Sequence, residues 1–157
     1  HAVHVTDRDC ETMACHGVAV AHCPRSNARL SGGTAPVPRF LAAGIAVGIG
    51  TDSLGSAPSL DLWEEMRAAL TVHAGRLDPS AVLDMATLGG ARALGLAGSV
   101  GSREVGKRAD LIAVPAGPVS AADPVGSLLR QTRGTDVLCS LIDGDIRFLR
   151  PEVSPCV

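Results

Sequence analysis

One short apolar stretch of the chain ends in an acidic residue: Gly44-Ile45-Ala46-Val47-Gly48-Ile49-Gly50-Thr51-Asp52-Ser53. Residues 45–49 alternate small and β-branched side chains without a charge, which is typical of a strand buried on both faces. Such strands belong to parallel sheets covered by helices, and ligands gather at their carboxyl ends. Asp52 stands just past that end. The pattern alone leaves two interpretations open, because Asp is also a favoured N-cap of a following helix.

The segments before this strand predict further βα units. Residues 1–5 indicate the end of a strand, and Thr6 is expected to cap a helix that runs to about residue 15. A second strand over 18–22, a loop over 23–27 and a helix over about 36–43 follow. This order of elements favours right-handed crossovers and a parallel sheet.

The segments after Asp52 change in character near residue 100. Amphipathic patterns predict helices over about 60–74 and 79–85, and Thr87 is expected to cap another that stops near Gly95. A strand over 109–114 and a short helix over 125–131 come next. The last prediction is a β-hairpin over 137–149 that turns at Asp143-Gly144.

Composition excludes several classes of protein. The chain has 157 residues, 46% hydrophobic and 19% charged, which is typical of a globular domain rather than a disordered one. The net charge of −2 and the scarcity of aromatic residues argue against a nucleic-acid or anionic-membrane partner. The first residues do not have the pattern expected of a signal peptide, and the sequence contains no apolar run of roughly 20 residues.

The five cysteines are odd in number and contain no CxxC pair: Cys10, Cys15, Cys23, Cys139 and Cys156. This pattern argues against a disulfide framework and a structural zinc site. We therefore expect small buried thiols and a cytoplasmic location.

Three polar side chains are associated with the ends of the predicted parallel strands. His1 lies near the first strand, His22 ends the second and Asp52 follows the third. Parallel strands in register would bring all three to one rim. A carboxylate there can bind a metal or accept a proton, and a histidine can bind, donate or orient. A complete zinc site needs about three protein ligands, however, and the sequence contains neither HxH nor HExxH.

Ordered motifs along nearly the whole chain resemble the amidohydrolase superfamily, and its aminohydrolase branch above all. That branch includes cytosine and guanine deaminases, chlorohydrolases, and deaminases of S-adenosylhomocysteine, 5′-methylthioadenosine and aminodeoxyfutalosine. The motifs are, in chain order, His1-Ala2-Val3-His4-Val5-Thr6-Asp7, Ala21-His22-Cys23-Pro24-Arg25-Ser26-Asn27, Ala35-Pro36-Val37-Pro38, Gly50-Thr51-Asp52-Ser53, Asp61-Leu62-Trp63-Glu64-Glu65-Met66-Arg67, Met85-Ala86-Thr87, Gly90-Ala91-Arg92-Ala93-Leu94-Gly95-Leu96 and Gly101-Ser102-Arg103-Glu104-Val105-Gly106-Lys107-Arg108-Ala109-Asp110-Leu111.

The resemblance implies an α/β fold. Residues 1–100 would be the C-terminal portion of a metal-dependent (β/α)8 TIM barrel, namely strands 6–8. Residues 101–157 would be the C-terminal strands of a small β-sandwich. The cofactor implied is one divalent metal, Zn²⁺ or Fe²⁺, per complete active site.

The resemblance also assigns residue roles. Asp52 matches the strand-8 Asp that binds the metal and takes a proton from the attacking water. His1 matches the strand-6 His that stabilises charge at the reacting carbon. His22 and Asn27 fall in the strand-7 segment, where substrate-pocket residues are expected. The family's HxH, strand-5 His and associated Glu have no counterpart in the sequence.

These expectations lead to one function and two alternatives. The leading prediction is hydrolytic deamination of an aminated purine, pyrimidine or nucleoside, in a protein whose N-terminal half is missing from this sequence. A related hydrolase acting on a C–Cl or cyclic amide bond is the second. The third is a non-catalytic truncated fragment. The expected partners are the small-molecule substrate, the missing half of the barrel and a second copy in a homodimer.

Overall fold

A parallel pair of strands lies at the centre of the N-terminal part. The computed structural model describes residues 1–30, 32–115 and 117–153. Strand β1 (Val20–His22) pairs in parallel with β2 (Val47–Ile49), so that the ends of both strands point the same way. This confirms the parallel sheet predicted from the apolar stretch. Ser31, in a predicted turn, and Cys156 lie outside the described residues.

Three helices flank the two strands. Helix α1 (Asp7–Cys15) begins at Thr6, whose hydroxyl accepts from the backbone N–H of Asp9 while the Asp9 carboxylate accepts from Thr6. This reciprocal cap confirms the predicted helix start. Helix α2 (Pro24–Arg29) comes directly after β1, and α3 (Val37–Ala42) precedes β2.

Two predictions for this region are wrong. The segment expected as a loop over 23–27 is largely helical, because Pro24 occupies the first turn of α2, where its missing N–H breaks no hydrogen bond. Residues 1–5 are not a strand. A strand requires a ladder partner, and in the described part of the chain this sheet contains only β1 and β2.

Helices α4 (Leu62–Val72), α5 (Pro79–Ala86) and α6 (Leu88–Ala93) form the next layer. Thr87 is the N-cap residue of α6, as predicted, but its hydroxyl donates to the carbonyl oxygen of Leu83 at 2.8 Å and makes no cap bond to α6. Helix α6 packs directly on β2. A Cβ added to Gly48 would lie 3.1 Å from the Cα of Gly90, so the backbones approach closely.

Two apolar clusters hold these layers together. The first includes Phe40, Val37 and Val47, none of them more than 1% exposed, and joins α3 to β2. The second includes Trp63 and Met66, as the helical stripe predicted, together with residues of α5 and α7. Burying side chains of this size contributes about 1.5–3 kcal/mol each.

The C-terminal part contains β3 (Leu111–Ala113), α7 (Pro124–Gln131), a 3₁₀ turn (Gly134–Asp136), β4 (Cys139–Ile142) and β5 (Asp145–Leu149). The three strands form one antiparallel sheet in the order β3-β4-β5. The predicted hairpin is confirmed: Asp143 and Gly144 have φ of 55° and 86°, as a two-residue hairpin turn requires. The Arg67 guanidinium ties α4 to α7 by donating to the carbonyl oxygens of Leu129 and Thr132.

The cysteines differ in their exposure. Cys10 and Cys23 are buried, as expected, but Cys15 is exposed and Cys139 is half-buried. The expectation of burial was wrong for Cys15 because the last residue of α1 faces solvent. In the described part of the chain, no helix combines the length and the apolar character needed to cross a bilayer.

Candidate functional site

Asp52 occupies a left-handed backbone conformation three residues beyond β2, with φ of 62°. Asp tolerates this conformation better than most residues because its short polar side chain can bond locally. The interpretation of Asp52 as a helix cap is wrong. The next helix, α4, is capped by Asp61, whose Oδ1 accepts from the backbone N–H of Trp63 at 2.8 Å.

Two hydroxyl groups hold the Asp52 carboxylate. Ser26 Oγ donates to Oδ2 at 2.7 Å, and Ser56 Oγ donates to the same oxygen at 2.8 Å. These hydrogen bonds, first that of Ser26 and then that of Ser56, lower the pKa of Asp52 below its ordinary value. The carboxylate is therefore ionised at neutral pH and fixed in direction.

His1 lies beside this carboxylate. Its Nε2 is 3.7 Å from Asp52 Oδ2, and its Nδ1 is 2.7 Å from the amide oxygen of Asn27. An amide oxygen only accepts, so Nδ1 carries the proton and donates to Asn27. Nε2 of the same ring lies on the Asp52 side.

Helix α2 positions two of these partners through neighbouring residues. Ser26 and Asn27 are buried in α2, and they contact Asp52 and His1 respectively. Because α2 follows β1 without a loop, the end of β1 determines where both side chains lie. The structure thus brings together three of the four predicted site residues, His1, Asn27 and Asp52.

The fourth, His22, is the last residue of β1. It is fully buried, and its ring packs against His73 with centroids 5.2 Å apart. His22 stands at the same end of the parallel pair as the loop that carries Asp52, and its expected place in the substrate pocket stays a prediction. Burial, and then the neighbouring His73, lower the pKa of His22 to about 4, so its ring is neutral at pH 7. His22 and Asn27 both line a cavity of about 300 Å³.

A partly buried ion-pair network supports the loop that carries Asp52. Arg25 Nη1 lies 2.6 Å from Glu64 Oε2 and 3.1 Å from Ser59 Oγ. Glu65 is fully buried, and its Oε2 accepts from the backbone N–H of Arg25 at 3.2 Å. Burial raises the pKa of Glu65 despite these contacts.

Sequence reasoning did not single out Ser26, Ser56, His73 or Glu65. The positions of the two serines offered a signal. Ser26 stands next to Asn27, and Ser56 follows Asp52 by one helical turn. His73 and Glu65 had none, because their burial depends on how α4 packs against α2.

The side chains of this site can supply one part of the ligand set of a metal centre. In the described residues, no three His, Cys, Asp or Glu side chains converge as a metal ion would require. The Asp52 carboxylate, ionised, oriented and partly exposed, has the chemistry of one zinc ligand.

Comparison with known proteins places this geometry in a family. The model of the amidohydrolase family matches residues 1–147. The chain belongs to the amidohydrolase family. This amidohydrolase chain is 51% identical over 118 residues to a 5-methylthioadenosine/S-adenosylhomocysteine deaminase of Desulforudis audaxviator, covering 71% of the chain and 27% of the relative. It is 36% identical over 155 residues to an S-triazine hydrolase of Gordonia rubripertincta, covering 93% of the chain and 32% of that protein.

Solved structures of the family share the fold. An adenosine deaminase from Xanthomonas campestris with bound zinc superposes with a TM-score of 0.88 at 33% identity, covering 100% of this chain and 38% of that one. An atrazine chlorohydrolase from Arthrobacter aurescens, complexed with zinc and atraton, superposes with a TM-score of 0.87 at 28% identity over 98% of this chain and 37% of that one. The amidohydrolase chain therefore spans between 27% and 38% of the length of these proteins.

Proposed function

We propose that the amidohydrolase chain is the C-terminal portion of a metal-dependent (β/α)8 barrel enzyme. His1 would follow strand 6, β1 would be strand 7 and β2 strand 8, within residues 1–100. Residues 101–157 would be the C-terminal strands of a small β-sandwich. The parallel pairing of β1 with β2 and the partial coverage of longer relatives support this assignment.

The reaction proposed is hydrolytic deamination of an aminated purine, pyrimidine or nucleoside. The observation that carries it is the Asp52 carboxylate, fixed by two hydroxyls and facing the Nε2 side of His1. The deaminase names of several relatives support the same reaction. The cytoplasmic location and the homodimer stay predictions.

A divalent metal, Zn²⁺ or Fe²⁺, would complete the site. Asp52 would supply one ligand, and the others would come from the part of the barrel that precedes this chain. When bound, such an ion lowers the pKa of water toward neutrality.

The residues of this chain have separate tasks in the reaction. Asp52 accepts the proton of the attacking water, for which its ionised carboxylate and fixed orientation suit it. His1 stabilises the charge that develops at the reacting carbon. Asn27 holds Nδ1 of His1, so that Nε2 faces the reaction. Holding the reacting groups in a fixed orientation in this way lowers the activation barrier of such reactions.

The decisive experiment replaces Asp52 in the full-length enzyme. We expect Asp52→Asn to lower ammonia release by at least about a hundredfold with metal supplied, since it removes both a ligand and a proton acceptor. Asp145→Asn, which alters an exposed carboxylate of the distant hairpin, is the matched control. Activity of Asp52→Asn within a few-fold of the parent would contradict the proposal.

A second candidate reaction is hydrolysis of a C–Cl or cyclic amide bond. The similarity to S-triazine hydrolase and atrazine chlorohydrolase supports it. The same Asp52 chemistry serves both reactions, because only the leaving group differs. Assays that follow ammonia and chloride in parallel, on aminated purines and chlorinated triazines, separate the two.

A further inference from the structure

Helix α2 begins without a capping side chain of its own. Its N-cap residue, Cys23, makes no side-chain hydrogen bond to the helix, and Pro24 at the first helical position has no N–H. The N–H of Arg25 is therefore the first backbone donor of the helix, and it has no acceptor within the helix. Such a donor must find its partner in another part of the chain or in water.

A buried carboxyl group of α4 supplies that partner. Glu65 stands 40 positions further along the chain, and its Oε2 accepts from the Arg25 N–H at 3.2 Å. The side chain is fully buried, and α4 packs against α2. The second oxygen, Oε1, lies 3.7 Å from Nη1 of the same arginine. Glu65 thus holds the start of α2 from a distant position, as the Thr6 hydroxyl holds the start of α1 from the adjacent one.

The two residues that follow Arg25 in α2 both contact the candidate site. Ser26 donates to Asp52 Oδ2 at 2.7 Å, and the Asn27 amide oxygen lies 2.7 Å from His1 Nδ1. A separation of about 3.6 Å is no longer a hydrogen bond, so a shift of the first turn of α2 by about 1 Å would break both contacts. The position of that turn therefore controls how the Asp52 carboxylate and the His1 ring are held.

We propose that Glu65 is a positioning residue, which fixes the first turn of α2 through the Arg25 N–H. That turn then places Ser26 against Asp52 and the following residue against His1. The inference rests on the roles proposed above for Asp52 and His1 in the reaction. Within the described part of the chain, the polar contacts of Glu65 go to Arg25 and not to either of those two residues.

Two adjacent glutamates of α4 have different tasks in this arrangement. Glu64 contacts the Arg25 side chain and accepts from the Ser59 hydroxyl, and it is partly exposed. Glu65 bonds to the backbone of α2 and is fully buried. A buried ion pair is often no more stabilising than apolar side chains of the same volume. What the buried carboxyl group adds is an acceptor that fixes the direction of the helix.

The variants that test this role remove one contact at a time. Glu65→Leu deletes the acceptor of the Arg25 N–H, while the guanidinium keeps its contacts with Glu64 and Ser59. Glu65→Gln retains a side-chain oxygen that can accept from the same N–H. Met66→Ala is the matched control, because Met66 is the next residue of α4 and is buried in the second apolar cluster. It shows what a loss of stability does by itself.

The first measurement follows the geometry of α2 in the full-length enzyme, supplied with zinc and without substrate. In Glu65→Leu we expect hydrogen–deuterium exchange of the backbone amides of residues 25–30 to be at least about tenfold faster than in the parent. A crystal structure of this variant should show Ser26 Oγ more than about 3.5 Å from Asp52 Oδ2. Glu65→Gln and Met66→Ala should keep the parent exchange in this segment and the parent distance.

The second measurement is turnover by the same proteins. We expect kcat for ammonia release by Glu65→Leu to fall at least about tenfold, with KM changed by less than about threefold, because Asp52 and His1 act in the transition state. Glu65→Gln should return kcat to within about threefold of the parent. Met66→Ala should unfold at a lower denaturant concentration and keep the parent kcat.

Several outcomes would overturn the positioning role. One is a folded Glu65→Leu protein with the parent exchange and the parent distance between Ser26 and Asp52, or with the parent kcat in an active enzyme. Another is a fall in kcat that Met66→Ala shares or that Glu65→Gln does not reverse, because it would reflect a general loss of structure. If Glu65→Leu does not fold, Glu65→Asp takes its place, since a side chain shorter by one methylene withdraws the acceptor from α2.

The two measurements also separate this inference from the proposed function. If the parent releases no ammonia, the proposed deamination fails, and the exchange and the crystallographic distances still decide whether Glu65 fixes α2. If the parent is an active deaminase and Glu65→Leu matches it in every measurement, only the positioning role fails.

Discussion

Ser26 donates a hydrogen bond of 2.7 Å from its hydroxyl to Oδ2 of Asp52, across 26 positions of the chain. The bond joins the helix that follows β1 to the loop that follows β2. Because the two strands are parallel and adjacent, their carboxyl ends place both segments at the same edge. The orientation of the candidate catalytic carboxylate therefore depends on the strand pairing.

Removal of the hydroxyls that hold Asp52 should raise its pKa. Ser26→Ala and Ser56→Ala each delete a donor to the charged form, and the double variant should raise the pKa further than either alone. Carboxyl ¹³C chemical shifts followed over pH measure the change. Ser99→Ala, which removes a hydroxyl that donates to the backbone carbonyl oxygen of Leu96, is the control. An unchanged Asp52 titration in the double variant would refute this cause of the shift.

Acidification should destabilise the fold through His22. Its pKa is about 4 in the folded protein and near 6.5 when unfolded. Between these values the unfolded chain binds the additional proton, so stability is full above pH 6.5 and falls as pH drops toward 4. The loss is on the order of 3 kcal/mol.

Urea unfolding at several pH values measures this loss. His22→Gln should flatten the dependence without abolishing it, because burial also lowers the pKa of His73. His16→Gln should leave the dependence unchanged. A parent protein equally stable at pH 7 and pH 4.5 would contradict the prediction.

Breaking the Arg25–Glu65 contact should be costly. Arg25→Met leaves the Glu65 carboxylate buried without its cation, which typically costs about 3 kcal/mol or more. Glu65→Gln should cost less, since an amide oxygen still accepts from the backbone N–H of Arg25. Denaturant midpoints compare the variants. Arg92→Met, which breaks an exposed pair with Asp84, should cost less than about 1 kcal/mol. Equal losses of stability in Arg25→Met and Arg92→Met would refute the argument that burial makes the Arg25–Glu65 contact costly to break.

A methyl group between β2 and α6 should also destabilise the protein. Gly48→Ala would place Cβ 3.1 Å from the Cα of Gly90, and the helix must move to admit it. We expect a loss of about 1–3 kcal/mol in thermal or denaturant unfolding. Gly98→Ala, where the added Cβ meets no atom within 4 Å, is the matched control. A Gly48→Ala protein as stable as the control would show that α6 does not pack tightly on β2.

The sequence alone predicted the elements whose signal lies within a few neighbouring residues. Helix α1 begins at Thr6 because a hydroxyl and a carboxylate three residues apart satisfy each other's backbone donors. The hairpin turns at Asp143-Gly144 because those residues tolerate positive φ. The apolar run before Asp52 predicted a buried parallel strand, because a strand covered on both faces carries no charge.

Tertiary structure alone determined which side chains Asp52 and His22 contact. The sequence left Asp52 as either a helix cap or a site residue, and its contacts with Ser26 and Ser56 excluded the cap. It predicted that His22 would share a rim with Asp52, and only the structure showed that the His22 ring is fully buried against His73. Helix caps and turns depend on residues a few positions apart, so they can be predicted directly from the sequence. The environment of a buried histidine or carboxylate depends on which helix covers it, and only the assembled layers specify that.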